Sequence, residues 1–231
     1  MWGGALAAVL LLVLIISWSF SGSPSMSGGD EEQRLASIGD IVVDGGSGAG
    51  DVLAKVAQSD PSPKVRRKAL AGMSHFLTPL HRKVVQESTK DPDPIVREIA
   101  VDILGMYRDK QASAELVEIV KNEPEEKVQQ AACRGLERCD DPMAIVTLMD
   151  QAENGATLDV KRVAMKCLLS KLGVRISRDR DPKDDRGWRD LIQRWKTSRR
   201  VQAAYTKANV RWVSKPQDRL GKDWHPERRD K

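Results

Sequence analysis

Residues 91–104 read DPDPIVREIAVDIL, and this stretch decides the fold because the chain repeats it. The other copies are residues 60–73 (DPSPKVRRKALAGM), 123–136 (EPEEKVQQAACRGL) and, for the second half of the pattern, 158–169 (LDVKRVAMKCLL). One valine holds the same place in every copy, at spacings of 31, 32 and 32 residues: Val65, Val96, Val128 and Val160. Such a period is typical of a solenoid made of helical hairpins.

Each copy predicts an amphipathic second helix. The positions four, five and eight after the valine are apolar in every copy, and at about 100° per residue they share one side of a helix. We expect these side chains to be buried: Ala69, Leu70, Met73, Ala100, Val101, Leu104, Ala132, Cys133, Leu136, Ala164, Met165 and Leu168.

A first helix precedes each second helix. Apolar residues lie twelve and sixteen positions before the valines: Leu53, Val84, Leu116 and Leu148, then Ala49, Leu80, Ala112 and Ala144. The Asp-Pro pairs predict the turn between the two helices, because proline ends one helix and suits the first turn of the next. The fourth copy lacks this pair, so we expect its hairpin to be irregular.

The pattern DPxPxVRxxAxxxL resembles the HEAT-like repeats of the armadillo/HEAT superfamily, in the short form also found in phycobilisome-lyase-type proteins. The resemblance covers residues 48–173. It implies an all-α fold, an α-solenoid of about four HEAT-like helical hairpins with terminal capping helices, but no lyase activity, since no residue of the match supplies chemistry. A competing signal, the ankyrin-type tetrapeptide Thr78-Pro79-Leu80-His81, occurs once and lacks the period.

The N-terminal residues 1–20 form a hydrophobic signal or anchor segment. Residues 5–16 are an unbroken apolar run, with Trp2 and Trp18 placed as interfacial anchors would be. A retained single span and a cleaved signal peptide both stay open, and the side of the membrane is not specified, because the first basic residue is Arg34. Residues 21–30 are predicted to be a flexible linker.

We divide the remainder into three parts. Residues 31–173 form the repeat domain with an N-terminal capping helix, and residues 174–205 form a C-terminal capping helix region. In the latter an apolar stripe either covers the last hairpin or docks a partner: Trp188, Leu191, Ile192 and Trp195. Residues 206–231 are predicted to be a basic, disordered tail.

Charge is distributed unevenly along the chain. Residues 174–231 hold 18 Lys and Arg against 9 Asp and Glu, whereas residues 1–173 hold 20 against 24. The basic segment suits phosphates, anionic lipid or an acidic protein. Nucleic acid is disfavoured, since an export signal would separate the protein from it.

No catalytic, metal or cofactor site is predicted. The three histidines, His75, His81 and His225, are scattered, and the three cysteines have no CxxC spacing. The glycine-rich residues 45–50 lack the lysine and the preceding strand of a phosphate loop, so we interpret them as a turn. An enzyme stays an alternative, because a solenoid groove can assemble acids and bases that are distant in sequence.

The candidate partner-binding residues are the cations at the start of the second helices: Lys64, Arg66, Arg67, Arg97, Lys161 and Arg162. Cations there oppose the helix dipole, so something must offset them. Two interpretations stay open, an arginine ladder with Asp60 and Asp91 or an anion-binding ridge for an acidic protein. The predicted function is a non-catalytic protein-binding scaffold or adaptor, membrane-tethered or exported; the alternatives are a lyase-like enzyme and a nucleic-acid-binding protein. Its oligomeric state is not predicted.

Overall fold

The computed structural model describes residues 29–173 and 184–197, with isolated positions at 199, 202, 203 and 206. Within these residues the regular structure is helical and contains no strand, which confirms the all-α prediction. No helix among them combines the length and the hydrophobicity needed to cross a lipid bilayer. The predictions for residues 1–20, for most of the linker and for the tail beyond residue 206 lie outside the described residues.

Four helical hairpins follow one another between helix α1 (Glu31–Asp44) and helix α10 (Asp185–Thr197). They are α2 (Ala49–Ser59) with α3 (Pro63–Met73), α4 (Arg82–Ser88) with α5 (Pro94–Leu104), α6 (Lys110–Asn122) with α7 (Glu126–Arg138), and α8 (Pro142–Asn154) with α9 (Leu158–Lys171). The second helices α3, α5, α7 and α9 pack against their neighbours more extensively than the first helices do, so they form one continuous layer. This is the predicted α-solenoid.

The helices begin where the sequence supplies suitable first-turn residues. Proline occupies the first turn of α3, α5 and α8, where its missing N–H removes no helical hydrogen bond. Asp93 caps α5 by accepting the N–H groups of Ile95 and Val96 at 2.9 and 3.0 Å. Thr157 caps α9 by accepting the Val160 N–H at 3.2 Å. Both helices of the fourth hairpin therefore form, with a threonine cap in place of the Asp-Pro turn, and the hairpin departs from the others at this turn.

The core is the stripe that the repeat predicts. All twelve positions expected to face inward on the second helices are at most 2% exposed, which confirms their register. The three cysteines are also buried, and burial raises the pKa of Cys133 to about 12 and that of Cys139 to about 11. These thiols therefore stay protonated and serve as small apolar core residues.

The prediction that Leu80 is buried is wrong, since 85% of it is exposed. It lies in a short 3₁₀ helix, Pro79–His81, whose capping box joins Thr78 to His81. This cap holds the His81 side chain inward. His81 is only 5% exposed, and its Nδ1 accepts the Thr78 N–H at 3.2 Å. Gly50 of α2 makes room for the imidazole, because a Cβ there would lie 2.8 Å from its Cε1.

Helices α1 and α10 cover the two ends. Helix α1 packs mainly on α3 and much less on α2, so it occupies the place of the second helix of a preceding hairpin. At the other end, Trp188 and Ile192 of α10 are 2% and 3% exposed within the core cluster. The Trp188 indole Nε1 donates to the Ala152 carbonyl of α8 at 2.7 Å, as expected of a helix that shields the last hairpin.

Candidate interaction surface

The turns between the two helices of the first three hairpins are joined by ion pairs. Arg66 donates through Nε and Nη2 to the two carboxylate oxygens of Asp91, each at 2.8 Å. Its Nη1 donates to the carbonyls of Asp60 and Pro61 at 3.0 and 3.2 Å. The Arg66 and Asp91 side chains are only 12% and 9% exposed. The ladder interpretation is therefore confirmed for Arg66.

The same arrangement recurs one hairpin later. Arg97 donates to the two oxygens of Glu123 at 3.2 and 2.9 Å, and its Nη1 donates to the carbonyls of Asp91 and Pro92 at 2.9 and 3.2 Å. Helix α1 supplies a third pair, in which Arg34 donates to Asp60 at 2.8 and 3.3 Å. We call these pairs the arginine ladder: Arg34–Asp60, Arg66–Asp91 and Arg97–Glu123.

The ladder stops at the last turn, where Gln129 takes the place of the arginine and Gly155 that of the carboxylate. The Gln129 amide donates to the Glu123 carbonyl of its own turn at 2.5 Å. A carboxylate cannot simply be added, because a Cβ on Gly155 would lie 2.5 Å from the Gln151 carbonyl oxygen.

The ladder charges stabilise one another. Burial raises the pKa of Asp91, but the hydrogen bonds from Arg66 and from the Asp93 N–H outweigh burial, so its pKa lies below the ordinary value. The Asp91 bond in turn raises the pKa of Arg66, and the Glu123 bond raises that of Arg97. Two of the predicted ridge cations are thus already paired within the fold.

The other ridge candidates lie at several register positions: Lys161 shares the position of Arg66 and Arg97, whereas Lys64 lies one before the repeat valine and Arg67 and Arg162 lie two after it. Lys64 is 65% exposed in its side chain and lies 2.9 Å from Glu31. Arg67 is half-buried on α3, while Lys161 and Arg162 lie on α9, the latter 2.9 Å from Asp159. At about 100° per residue, the position of Arg66 falls within the core stripe, whereas Lys64 and Arg67 lie on the opposite side of α3. Binding by Lys64, Arg67, Lys161 and Arg162 stays a prediction.

The side opposite the core stripe forms a surface across three neighbouring helices. Its positions lie one before and two, three and six after the repeat valine, at about 180° from the core on average. We call this surface the second-helix face: Lys64, Arg67, Lys68 and Ala71 of α3; Ile95, Glu98, Ile99 and Asp102 of α5; Lys127, Gln130 and Arg134 of α7, whose fourth such position, Ala131, is fully buried.

Helix α5 makes the middle of this face apolar. Ile95 is 45% exposed, and Ile99 lies one turn further along, partly exposed above the core. The two carboxylates of α5 are held by Arg134 of α7, which donates to Asp102 at 3.2 and 2.9 Å and lies 3.5 Å from Glu98. This one guanidinium therefore compensates half of the charge of the two carboxylates.

Two cations flank the apolar strip without such compensation. Arg67 on α3 and Lys127 on α7 make no hydrogen bond or ion pair with any residue that the structure describes. The sequence prediction missed Ile95, Ile99 and Lys127. A signal was present, because Ile95 replaces the charged residues Lys64, Lys127 and Asp159 found at its register position.

The two histidines among the described residues, His75 and His81, have different surroundings. His81 Nε2 lies 3.1 Å from Asp51 Oδ1, on the first-helix side of the solenoid. His75 comes just after α3 in the chain and is exposed. Across the described ranges, no three His, Cys, Asp or Glu side chains are grouped so that they could hold a metal ion.

Comparison with known families gives one match. Residues 50–136 are similar to the family of HEAT repeats. This span runs from α2 to α7 and includes the three near-copies of the repeat, the arginine ladder from Asp60 onward, and the second-helix face. It favours the HEAT-like interpretation over ankyrin. No curated protein matches the chain significantly.

Proposed function

Since this chain is a HEAT-like repeat protein, we propose that it is a non-catalytic scaffold or adaptor that binds another protein through the second-helix face. HEAT repeats commonly mediate protein–protein interaction. The proposal assigns that role to one surface of this chain, the layer formed by α3, α5 and α7.

The exposed apolar strip on α5 carries the proposal. A helix on the surface of a solenoid normally presents polar side chains to water, and the register position of Ile95 is charged in the other three copies. Ile95 is instead apolar and, with Ile99 one turn further along α5, forms a strip within a rim of charged residues. An apolar strip with a polar rim is typical of a surface that is covered by a partner.

The proposed absence of catalysis is supported by the state of the reactive groups. Cys133 and Cys139 are buried with raised pKa values, so neither supplies a thiolate. His81 is enclosed and its Nδ1 already accepts a backbone N–H. These side chains contribute to packing and capping rather than to a reactive pocket.

We also propose that residues 1–20 tether the scaffold to a membrane or direct its export. Alkaline extraction of membranes from cells making the full chain, followed by mass measurement, checks this part. A retained span keeps the intact chain in the membrane pellet, and a signal peptide yields a shortened soluble chain. An intact chain in the soluble fraction would contradict both.

Photo-crosslinking in the native cell tests the scaffold proposal. A photoreactive amino acid replaces Ile99 on the second-helix face, and a matched variant replaces Glu118, which is exposed on the first helix α6. We expect a discrete adduct with another protein from position 99 and not from position 118. Identical adduct patterns from both positions, or none from position 99, would refute binding through this face.

A further inference from the structure

The second-helix face has features that specify the chemistry of its occupant. We infer that it binds an amphipathic helix of a partner protein, apolar along one side and acidic along both margins of that side. This inference rests on the proposed scaffold function and adds the class of partner segment.

The apolar strip has the spacing of a helix contact. Ile95 and Ile99 are separated by four residues on α5, so their side chains lie about one turn apart, roughly 6 Å along the helix axis. Met106, which follows α5, is 44% exposed. A partner helix with apolar residues at i, i+3 or i+4 and i+7 would meet such a strip along its length.

The second-helix face carries a net positive charge. Its residues include five cations and two carboxylates, and the two carboxylates lie beside the single charge of Arg134. Lys64 is paired with Glu31, and Lys68 donates to the Leu35 carbonyl at 2.7 Å. Arg67 and Lys127 are left on opposite sides of the isoleucines, so acidic residues flanking an apolar stripe are the complementary pattern.

The apolar strip favours a protein segment over the other anionic partners. Single-stranded nucleic acid is bound by a basic groove together with aromatic side chains that stack on the bases, and none of the residues of the second-helix face is aromatic. A phosphate-bearing surface would leave Ile95 and Ile99 without an apolar partner. A helix with leucines between acidic margins would pack its leucines on Ile95 and Ile99 and place its carboxylates near Arg67 and Lys127.

Binding of defined peptides to the full chain in neutral detergent tests the inference. The probes are three fluorescent peptides of about 16 residues, long enough for roughly four turns. The first has a leucine stripe with glutamate margins, the second replaces glutamate by lysine, and the third scatters the leucines. By fluorescence anisotropy at low salt, we expect the first peptide to bind at least about tenfold more tightly than either of the others.

Charge-reversed variants give the sharper result. Arg67→Glu with Lys127→Glu should reverse the preference, so that the lysine peptide binds more tightly than the glutamate peptide. Lys55→Glu with Lys90→Glu, on exposed residues outside the face, is the matched control and should leave the preference unchanged. If the reversed variant melts early, Arg67→Gln with Lys127→Gln should abolish the preference without adding repulsion.

Several outcomes would overturn the inference. They are equal binding of the glutamate and lysine peptides, an unchanged preference in both face variants, or tighter, Arg67-dependent binding of oligothymidine or of phosphatidylserine vesicles. Failure of the wider proposal is distinguishable, because it appears as loss of the crosslink from position 99. If the crosslink from position 99 persists but the peptides show no preference, the proposed scaffold function is retained and only the inference of an acidic partner helix is refuted.

Discussion

Arg66 lies in the first turns of α3, where the helix dipole disfavours a cation. Its guanidinium is stabilised there because one carboxylate and two carbonyls accept its hydrogen bonds. The Asp91 carboxylate also accepts the Asp93 N–H at 2.9 Å. Each ladder arginine thus links its own turn to the next one and compensates a carboxylate that would otherwise be buried without a partner.

Replacing Arg66 by glutamine should destabilise the protein. Arg66→Gln retains an amide donor, as Gln129 does naturally, but leaves the nearly buried Asp91 without its bidentate partner. We expect the free energy of unfolding to fall by about 2–3 kcal/mol, measured by urea denaturation of the full chain.

The neighbouring substitution Arg67→Gln is the control. Arg67 makes no ion pair with any described residue, so its loss should change the free energy of unfolding by less than about 0.5 kcal/mol. Equal effects of the two substitutions would show that the ladder contributes no more than an exposed charge.

Much at the residue scale was predictable from the repeat. The period assigned all twelve core positions of the second helices, because burial there depends only on helical geometry. The period did not decide between the arginine ladder and an anion-binding ridge. The same spacing of cations is compatible with both, because the sequence does not show which group each guanidinium contacts. It missed Ile95 and Lys127 because their significance depends on which helices are neighbours.

Among the elements, α5 and α7 approach one another unusually closely. A Cβ on Gly105, at the end of α5, would lie 2.5 Å from the Gly135 Cα of α7. The Arg138 Nη1 donates to the Asp102 carbonyl at 3.3 Å across the same contact. The two glycines therefore set the distance between these helices, and with it the position of Arg134 beside the carboxylates of α5.

Gly105→Ala should push α5 and α7 apart. Gly105 has a φ of −64°, which alanine adopts freely, so steric overlap with the Gly135 backbone is the dominant effect. We expect a loss of about 1–3 kcal/mol in the free energy of unfolding, measured by chemical denaturation. Gly46→Ala is the control, because a Cβ there meets no atom within 4 Å. A loss in that variant as large as in Gly105→Ala would argue against helix contact as the cause.

At this scale, sequence reasoning failed at one first helix. Helix α4 has only seven residues, and the chain before it forms a 3₁₀ helix that exposes Leu80 and buries His81. The apolar spacing predicted the reverse. A capping box depends on the local hydrogen bonds of Thr78, and these override a hydrophobic period read over a longer window.

Across the whole molecule, the ladder joins α1 and the first three hairpins but not the fourth. At the last junction Gln129 and Gly155 stand in the ladder positions. Lys171 of α9 donates to the carbonyls of Glu137 and Cys139 near the end of α7, so the junction is held at the opposite edge of the solenoid. At its ladder positions the last hairpin therefore has no arginine–carboxylate pair, and the described contacts of Lys171 are with backbone carbonyls.

This difference predicts unequal local stability. In native-state hydrogen exchange followed by mass spectrometry, amides of α9 should exchange through an opening that requires about 2 kcal/mol less than the opening of α5. The substitution Arg97→Gln should lower the protection of α6 and α7 toward that of α9. Uniform protection from α3 to α9 would contradict a ladder-dependent difference.

The way helix α1 is joined to the first hairpin bears on how a repeat array of this kind can lengthen by duplication. It meets Asp60 through Arg34 as α3 meets Asp91 through Arg66, so the opening helix carries the same connector as the later ones. A duplication of one unit bounded by these connectors would lengthen the array while both original ends stay in place. Each added unit would bring its own outward-facing residues, so the array can vary what it displays without altering how its members are joined.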